Sequence, residues 1–311
     1  MAIVFDTVSA KHLIKNLLHI PSELFQVQVG YVKYKSYTTV HVMGNIKIYS
    51  DCMPSEKNPY GLGSYLVLSG KGCDQLQTYL ETDKKNYADF FKECIERYGK
   101  QFHFTRIDIA IDDRNMIPYF TIERIKEKCS NHEFLSKSRN FQFQESSFQD
   151  GSTASTVYIG DRKSRISYRF YDKDKEQAAR ANIPLSSIGT WKRTEIELKD
   201  EVAQSFIEKV SEKERSIGEL ASDFLGTNLR FVDYDGNQKN KSRWKTSQFW
   251  NDFLGDIKPL KIIINSEQNT LYETQLWLKN GGVLSAVKAF EILEECQALG
   301  GLTDIKTLKK I

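Results

Sequence analysis

Three stretches of this chain change side with every residue. In 104–113, FTRIDIAIDD, the residues Ile107, Ile109 and Ile111 share one parity, and Arg106, Asp108, Ala110 and Asp112 share the other. In 191–199, WKRTEIELK, Thr194, Ile196 and Leu198 alternate with Arg193, Glu195, Glu197 and Lys199. In 165–173, RISYRFYDK, Ile166, Tyr168 and Phe170 alternate with Ser167, Arg169, Tyr171 and Lys173. Successive side chains on a strand point to opposite faces, so each stretch predicts a strand with one apolar and one polar face. Three such strands call for antiparallel sheet that is covered on one face and open on the other.

The rest of the pattern supplies the cover. Helices are expected at 11–18, at 86–98 with Gly99 as the stop, near 121–129, at 201–213 and at 216–225. A C-terminal helical part carries Val283, Val287, Phe290 and Leu293 as its stripe. Short strands are expected at 25–33, 38–43, 46–49, 65–69 and 155–160, and glycines in 61–72 read as turns. The fold class is therefore α+β, with mainly antiparallel sheets packed by helices on one face. Strand–helix order recurs in both halves, and FTRIDIAI and KRTEIELK share Arg, one residue, an acid and Ile. Two related, duplicated units are one reading of this, and chance similarity between half-buried strands is the other. The expected organisation is an α+β unit over 1–115, a second unit over 116–230, and a basic loop with a helical part over 231–311.

Composition narrows the class. With 40% hydrophobic and 27% charged residues over 311 positions the chain is globular. No run approaches the roughly 20 apolar residues of a membrane span, and the start has no secretory pattern. Five widely spaced cysteines without a CxxC pair favour free thiols and a cytoplasmic setting over disulfides or zinc. A net charge of +3 suits nucleic acid without demanding it. No P-loop is present, and the five histidines form no HxH or HExxH pair.

If the three strands share a sheet, their polar faces merge into one surface of carboxylates and arginines. Crowded carboxylates repel, and a divalent cation with oxygen ligands, Mg²⁺ or Mn²⁺, relieves that cost. Arginines there suit phosphate oxygens. A solvated face laced by cross-strand ion pairs is the alternative, and the strands alone leave both open. Alternation also separates the tyrosines. Tyr168 falls on the apolar face and Tyr171 on the charged one. A phenol with an ordinary pKa near ~10 would be drawn toward phenolate by Arg169, Lys173 and a metal, which would make it a nucleophile. Lys239, Lys241, Arg243 and Lys245 flank Trp244 in an aperiodic stretch, which reads either as a phosphate grip with a stacking ring or as a solvated basic loop.

At these residues the chain resembles the Rep_trans replication initiation factors, which include rolling-circle plasmid initiators and MOB-T relaxases of conjugative elements. The resemblance rests on LVLSGKGCDQL (67–77), FTRIDIAIDD, TVYIGDRKSRISYRFYDKDKEQ (156–177), RTEIELK (193–199), Trp250 and LYETQLWL (271–278). It implies a metal-dependent enzyme that nicks one DNA strand at a hairpin-forming origin, leaving a 5′-phosphotyrosyl link and a free 3′-hydroxyl. Carried over by position, the nucleophile is Tyr171. The metal ligands are Asp108, Glu195 and Glu197, with Mg²⁺ or Mn²⁺ as cofactor. Arg106, Arg169 and Arg193 hold the scissile phosphate. Lys173, Arg162, Lys163, Lys239, Lys241, Arg243 and Trp244 are the expected DNA contacts. The resemblance further implies duplicated, saddle-like sheet units, with room for a homodimer and for a helicase or coupling protein as partner. Many relaxases of this kind carry an N-terminal helix-turn-helix domain, and this chain begins with the catalytic region. Two other readings compete: a non-catalytic DNA-binding replication or regulatory protein retaining the fold, and a nuclease in which water attacks and Tyr171 only positions phosphate.

Overall fold

The computed structural model describes residues 1–30, 37–52, 63–147, 153–161 and 163–257. Its elements run β1 (Ala2–Phe5), α1 (Ala10–Leu13, extended by a π-helical turn Ile14–Leu18), β2 (Gln26–Val29), β3 (Tyr37–Met43), β4 (Ile46–Cys52), β5 (Ser64–Leu68) and α2 (Gly70–Thr82). There follow α3 (Tyr87–Tyr98), β6 (Phe102–Asp113), α4 (Ile122–Ser130), β7 (Phe134–Ser136), β8 (Phe141–Ser147), β9 (Thr153–Ile159), β10 (Ile166–Asp172) and α5 (Lys173–Ala181). The last are β11 (Lys192–Lys199), α6 (Asp200–Ser211), α7 (Ile217–Asn228), β12 (Leu229–Phe231) and α8 (Gln248–Ile257). The fold is α+β with antiparallel sheet, as the alternation predicts. Among the described residues, no helix is long and apolar enough to cross a membrane.

Of the described residues, 1–5 and 85–257 form one compact unit and 6–84 the other. The units are cut differently from the expected 1–115, 116–230 and 231–311. The reason is β6, which pairs along its length with β11 and so joins the sheet of the later strands.

In the first unit the strand order is β1-β6-β11-β10-β9-β8, all antiparallel. Ile107, Ile109, Ile111, Ile196, Leu198, Tyr168 and Phe170 are buried on one face. Helices cover them: Phe91 of α3 meets Phe104 edge-on at 5.5 Å, and Trp250 of α8 meets Phe170 at 6.2 Å. Trp250 also lies 4.9 Å from Phe231 and is fully buried. Burial of each such large side chain contributes about 1.5–3 kcal/mol, so this face anchors the strands that carry the polar one. The helix ends are well made. Asn86 and Asp89 form a capping box on α3, and Ser216 and Glu219 form one on α7.

Carried back from Ile107, the same alternation puts His103 on the apolar face, and the start of β6 departs from it. The alternation is in phase from Arg106 onward, but Phe102 and Phe104 are buried and His103 is exposed. Opposite β1 the register slips between Ala2, which faces Arg106, and Ile3, which faces Phe104. This bulge inserts one residue and inverts the parity before it, so His103 is solvated rather than packed beside Ile107.

The second unit holds β2-β3-β4-β5 in sequence order, with α1 and α2 against β4. Helix α2 was not visible in the sequence because it opens on Gly70-Lys71-Gly72, which reads as a turn. Ser69 caps it by accepting from the Gly72 amide. Gly72 itself is required by packing, since a Cβ there would lie 2.3 Å from the Asn45 carbonyl oxygen. Also unforeseen were β7, β8 and α5. The helical part expected around 283–293 and the 271–278 motif lie outside the described residues.

Candidate active site

Register brings the three alternating strands together with β11 in the middle. Glu197 faces Asp108 on one side and Ser167 on the other; Glu195 faces Ala110 and Arg169; Arg193 faces Asp112 and Tyr171. The polar faces therefore form one surface, and each carboxylate on it has a cationic neighbour. Arg106 chelates Asp108 through Nε at 2.9 and 3.0 Å and reaches Glu197 Oε2 at 2.5 Å. Lys199 Nζ lies 2.7 Å from Glu197 Oε1. Arg193 donates to both oxygens of Asp112, at 2.6 and 2.7 Å. Arg169 Nε lies 3.2 Å from Glu195 Oε2.

Tyr171 sits at the centre of this surface. Its hydroxyl donates to Glu195 Oε1 at 2.7 Å, and its ring lies under the Arg169 guanidinium at 4.1 Å. The side chain is only 4% exposed, covered on the polar side rather than inserted among the isoleucines. Its pKa is raised, first by burial and then by the Glu195 charge, against the opposing pull of Arg193 and Arg169. The expected drift toward phenolate is thus reversed. Cations do flank the ring, but Glu195 neutralises Arg169 and accepts the phenol proton. Tyr168 occupies the opposite face, with its hydroxyl buried and its pKa also raised by burial.

The carboxylates differ in what they can still hold. Glu195 already binds the tyrosine hydroxyl and Arg169. Asp108 and Glu197 are joined by one guanidinium, a cation bridging two facing carboxylates. Among the described residues no three His, Cys, Asp or Glu side chains converge into a ready metal cage. Mg²⁺ commonly uses only one or two carboxylates and completes its shell with water and phosphate, and Asp108 and Glu197 supply oxygen donors of that kind, each also facing a second cation: the N-terminal ammonium at 3.9 Å from Asp108 and Lys199 at 2.7 Å from Glu197.

The expected DNA contacts divide. Lys173 is not on the strand but is the first residue of α5, where it is buried and paired with Glu176 at 2.9 Å; its ammonium still lies 5.6 Å from the Tyr171 ring. Lys163 is exposed on the β9–β10 turn, and Arg162 lies outside the described residues. Lys239 and Arg243 are exposed, whereas Lys241 donates to the His132 carbonyl. Trp244 is half-buried, with Nε1 donating to Gln238 O at 2.6 Å and its ring edge-on to Tyr234 at 5.0 Å. The basic stretch is therefore a folded loop, bridged by Val232 to Thr246, with Trp244 as its internal anchor.

Two features escaped the sequence reading. Trp191 lies at the Arg193 parity, and three cations surround it: Arg114 at 3.7 Å, Arg193 at 5.4 Å and Lys173 at 6.0 Å. It opens the 191–199 stretch, so the alternation itself puts it on the polar face, but as an uncharged ring it was not singled out there. Beneath the end of β10, Lys192 Nζ bridges Asp172 at 2.7 Å and Asp174 at 3.0 Å, and both acids are buried. These pairs fix the strand end that carries Tyr171.

Comparison with known proteins bears on all of this. A family model described as replication initiation factor matches residues 102–305. A second, described as the N-terminal domain of a rolling circle replication initiation protein, matches residues 1–93. A protein of Bacillus subtilis (strain 168), named DNA relaxase NicK, is 32% identical over 307 residues, which is 98% of this chain and 82% of that protein. A solved rolling circle replication initiator protein from Geobacillus stearothermophilus shares the fold, with a TM-score of 0.70 at 24% identity over 84% of this chain and 95% of that one.

Proposed function

This chain belongs to the replication initiation factor family, and from that premise we propose that it is a metal-dependent DNA strand-nicking transesterase with Tyr171 as its nucleophile. The carrying observation is the 2.7 Å hydrogen bond from the Tyr171 hydroxyl to Glu195, on a face crowded with arginines. The DNA strand lies across β10, β11 and β6, in a cytoplasmic setting. Arg169 and Arg106 leave their carboxylate partners for the scissile phosphate oxygens, where guanidinium forks fit best. Tyr171 Oη attacks phosphorus while its proton passes to Glu195. The phosphorus–O3′ bond breaks, the 5′ phosphate stays on the tyrosine, and the departing 3′ oxygen takes up a proton to become the free hydroxyl. Arg193, held two-pronged by Asp112, keeps positive charge beside the forming ester. Asp108 and Glu197 would hold a divalent Mg²⁺ or Mn²⁺, which when bound supplies Lewis-acid withdrawal of charge from the phosphate.

Glu195, expected as a metal ligand, is read here as the proton acceptor. Its oxygen already meets the group to be deprotonated, and the raised phenol makes such an acceptor necessary at neutral pH. That same raised pKa favours a second reading, in which water attacks and Tyr171 merely positions phosphate. Labelled single-stranded and supercoiled DNA incubated with the protein and Mg²⁺ or Mn²⁺, then resolved on denaturing gels, separates the two. The proposal expects nicking with label retained on protein and no retention by Tyr171→Phe. Nicking without retained label supports the water route.

A further inference from the structure

The segment 114–118 (RNMIP), between β6 and Phe120, ends in two apolar side chains that the fold does not use. Met116 is 89% exposed and Ile117 is 86% exposed, beside a surface that is otherwise charged. Single exposed apolar residues are ordinary, but two at the tip of a firmly built loop next to a reactive site call for an occupant. This loop is firmly built. The buried Asp113 carboxylate accepts from the Asn115 amide at 3.0 Å and from the Tyr119 amide at 2.8 Å, which fixes both arms. Arg114 stacks on Trp191 at 3.7 Å, and Thr190 Oγ1 donates to the Met116 carbonyl at 3.5 Å.

Register places this tip relative to the nucleophile. Tyr171, Arg193 and Asp112 form one row across the three strands, and Asp172, Lys192 and Asp113 form the next. The loop leaves the sheet directly beyond that second row. With strands about 4.8 Å apart and residues about 3.3 Å apart along a strand, it starts roughly 10 Å from the Tyr171 backbone. That is about three base steps at ~3.4 Å each. Phosphates lying over Tyr171 are drawn by Arg193 and Arg169, so bases of the same strand run past Trp191 and the apolar tip.

We propose that Met116 and Ile117 form a strand-separating wedge that inserts beside a base step about three nucleotides from the nick site, with Trp191 and Arg114 as its rigid, cationic base. Apolar side chains from such loops unstack base steps, and a cation–aromatic platform carries the freed base. The wedge would let a site that needs an unpaired strand work at the foot of a hairpin. This inference rests on the nicking reading and deepens it.

The test uses a forked duplex whose first paired position carries 2-aminopurine, and the full-length protein with Tyr171→Phe so that the DNA stays intact. The wedge raises 2-aminopurine emission severalfold at saturation, because the probe base loses the stacking that quenches it. In that background Met116→Ser with Ile117→Ser binds the fork by anisotropy but gives no such rise, and Met116→Leu with Ile117→Leu keeps it. Both positions are exposed, so far-UV circular dichroism and melting stay unchanged. An equal rise with the serine pair overturns the inference and leaves the tip as a surface for a protein partner. Binding without any rise in emission overturns it as well. Failure of the parent reading is seen separately, as the absence of a covalent adduct when Tyr171 is present.

Discussion

Replacing Glu195 by glutamine keeps the shape of the site and removes the charge that, in the proposed mechanism, takes the tyrosine proton. In the structure Glu195 Oε1 lies 2.7 Å from the phenol, and no other carboxylate among the described residues hydrogen-bonds that hydroxyl. General base catalysis contributes typically 10²–10⁴-fold, which is ~3–5 kcal/mol of barrier. Nicking by Glu195→Gln at neutral pH should fall within that range. The same change removes one of the two leading causes of the raised Tyr171 pKa, since burial and the Glu195 charge both favour the neutral phenol. The variant's phenol is therefore easier to ionise, and hydroxide can replace the lost base. Its rate should climb about tenfold per pH unit on the alkaline side until the phenol is ionised, narrowing the gap to wild type. The assay is single-turnover cleavage of an end-labelled single strand from pH 6 to 10 at fixed ionic strength. Wild-type rates at pH 7 in Glu195→Gln would refute the proton-transfer argument. Full restoration by excess Mn²⁺, without any alkaline climb, would return Glu195 to the ligand role.

Two further predictions concern the strand that carries Tyr171. Lys192→Met leaves the buried Asp174 with backbone amides alone, while Asp172 keeps Lys175 at 3.0 Å, so the loss in urea unfolding at pH 7 should be about 3 kcal/mol, the low end of the range for breaking a buried pair. The Lys192 pKa is raised in the fold by its two acid partners despite burial, so the stability it contributes is complete below the ordinary value of 10.5 and is lost as pH rises through the folded value. Wild-type stability should accordingly drop above about pH 10.5, with a smaller drop in Lys192→Met. Tyr168→Phe removes a buried hydroxyl that finds no partner among the described residues, so it should leave stability unchanged or raise it by up to about 1 kcal/mol, with nicking at wild-type rate. A large loss of nicking in Tyr168→Phe would show that the two faces of β10 have been assigned the wrong way round.

The strand faces were legible from alternation because β6, β10 and β11 pair in register without interruption between Arg106 and Lys199. Parity therefore carried directly into which side chains share a surface. Parity failed at His103, where the bulge opposite β1 adds a residue that a single sequence does not announce. It also ran one residue too far at Lys173, because the Asp-Lys-Asp-Lys run carries no breaker and both strand and helix accept it. What alternation cannot supply is pairing within a face. It predicted acids near arginines but not that Arg193 would commit both prongs to Asp112, or that Glu195 rather than a metal would hold the Tyr171 hydroxyl. The basic run 239–245 illustrates the same gap. Its composition left a phosphate grip and a solvated loop both open, yet Trp244 donates to the loop's own Gln238 carbonyl and Lys241 to the carbonyl of His132 beyond α4.

In the proposed mechanism the Tyr171 oxygen becomes joined to DNA. The direct measurement is mass spectrometry of the protein–DNA product after nuclease and protease digestion. One nucleotide-bearing peptide is expected, with the phosphodiester mapped to Tyr171 and linked to the 5′ phosphate at the nick. A modified peptide centred on another tyrosine, or efficient nicking with no modified peptide at all, would contradict it.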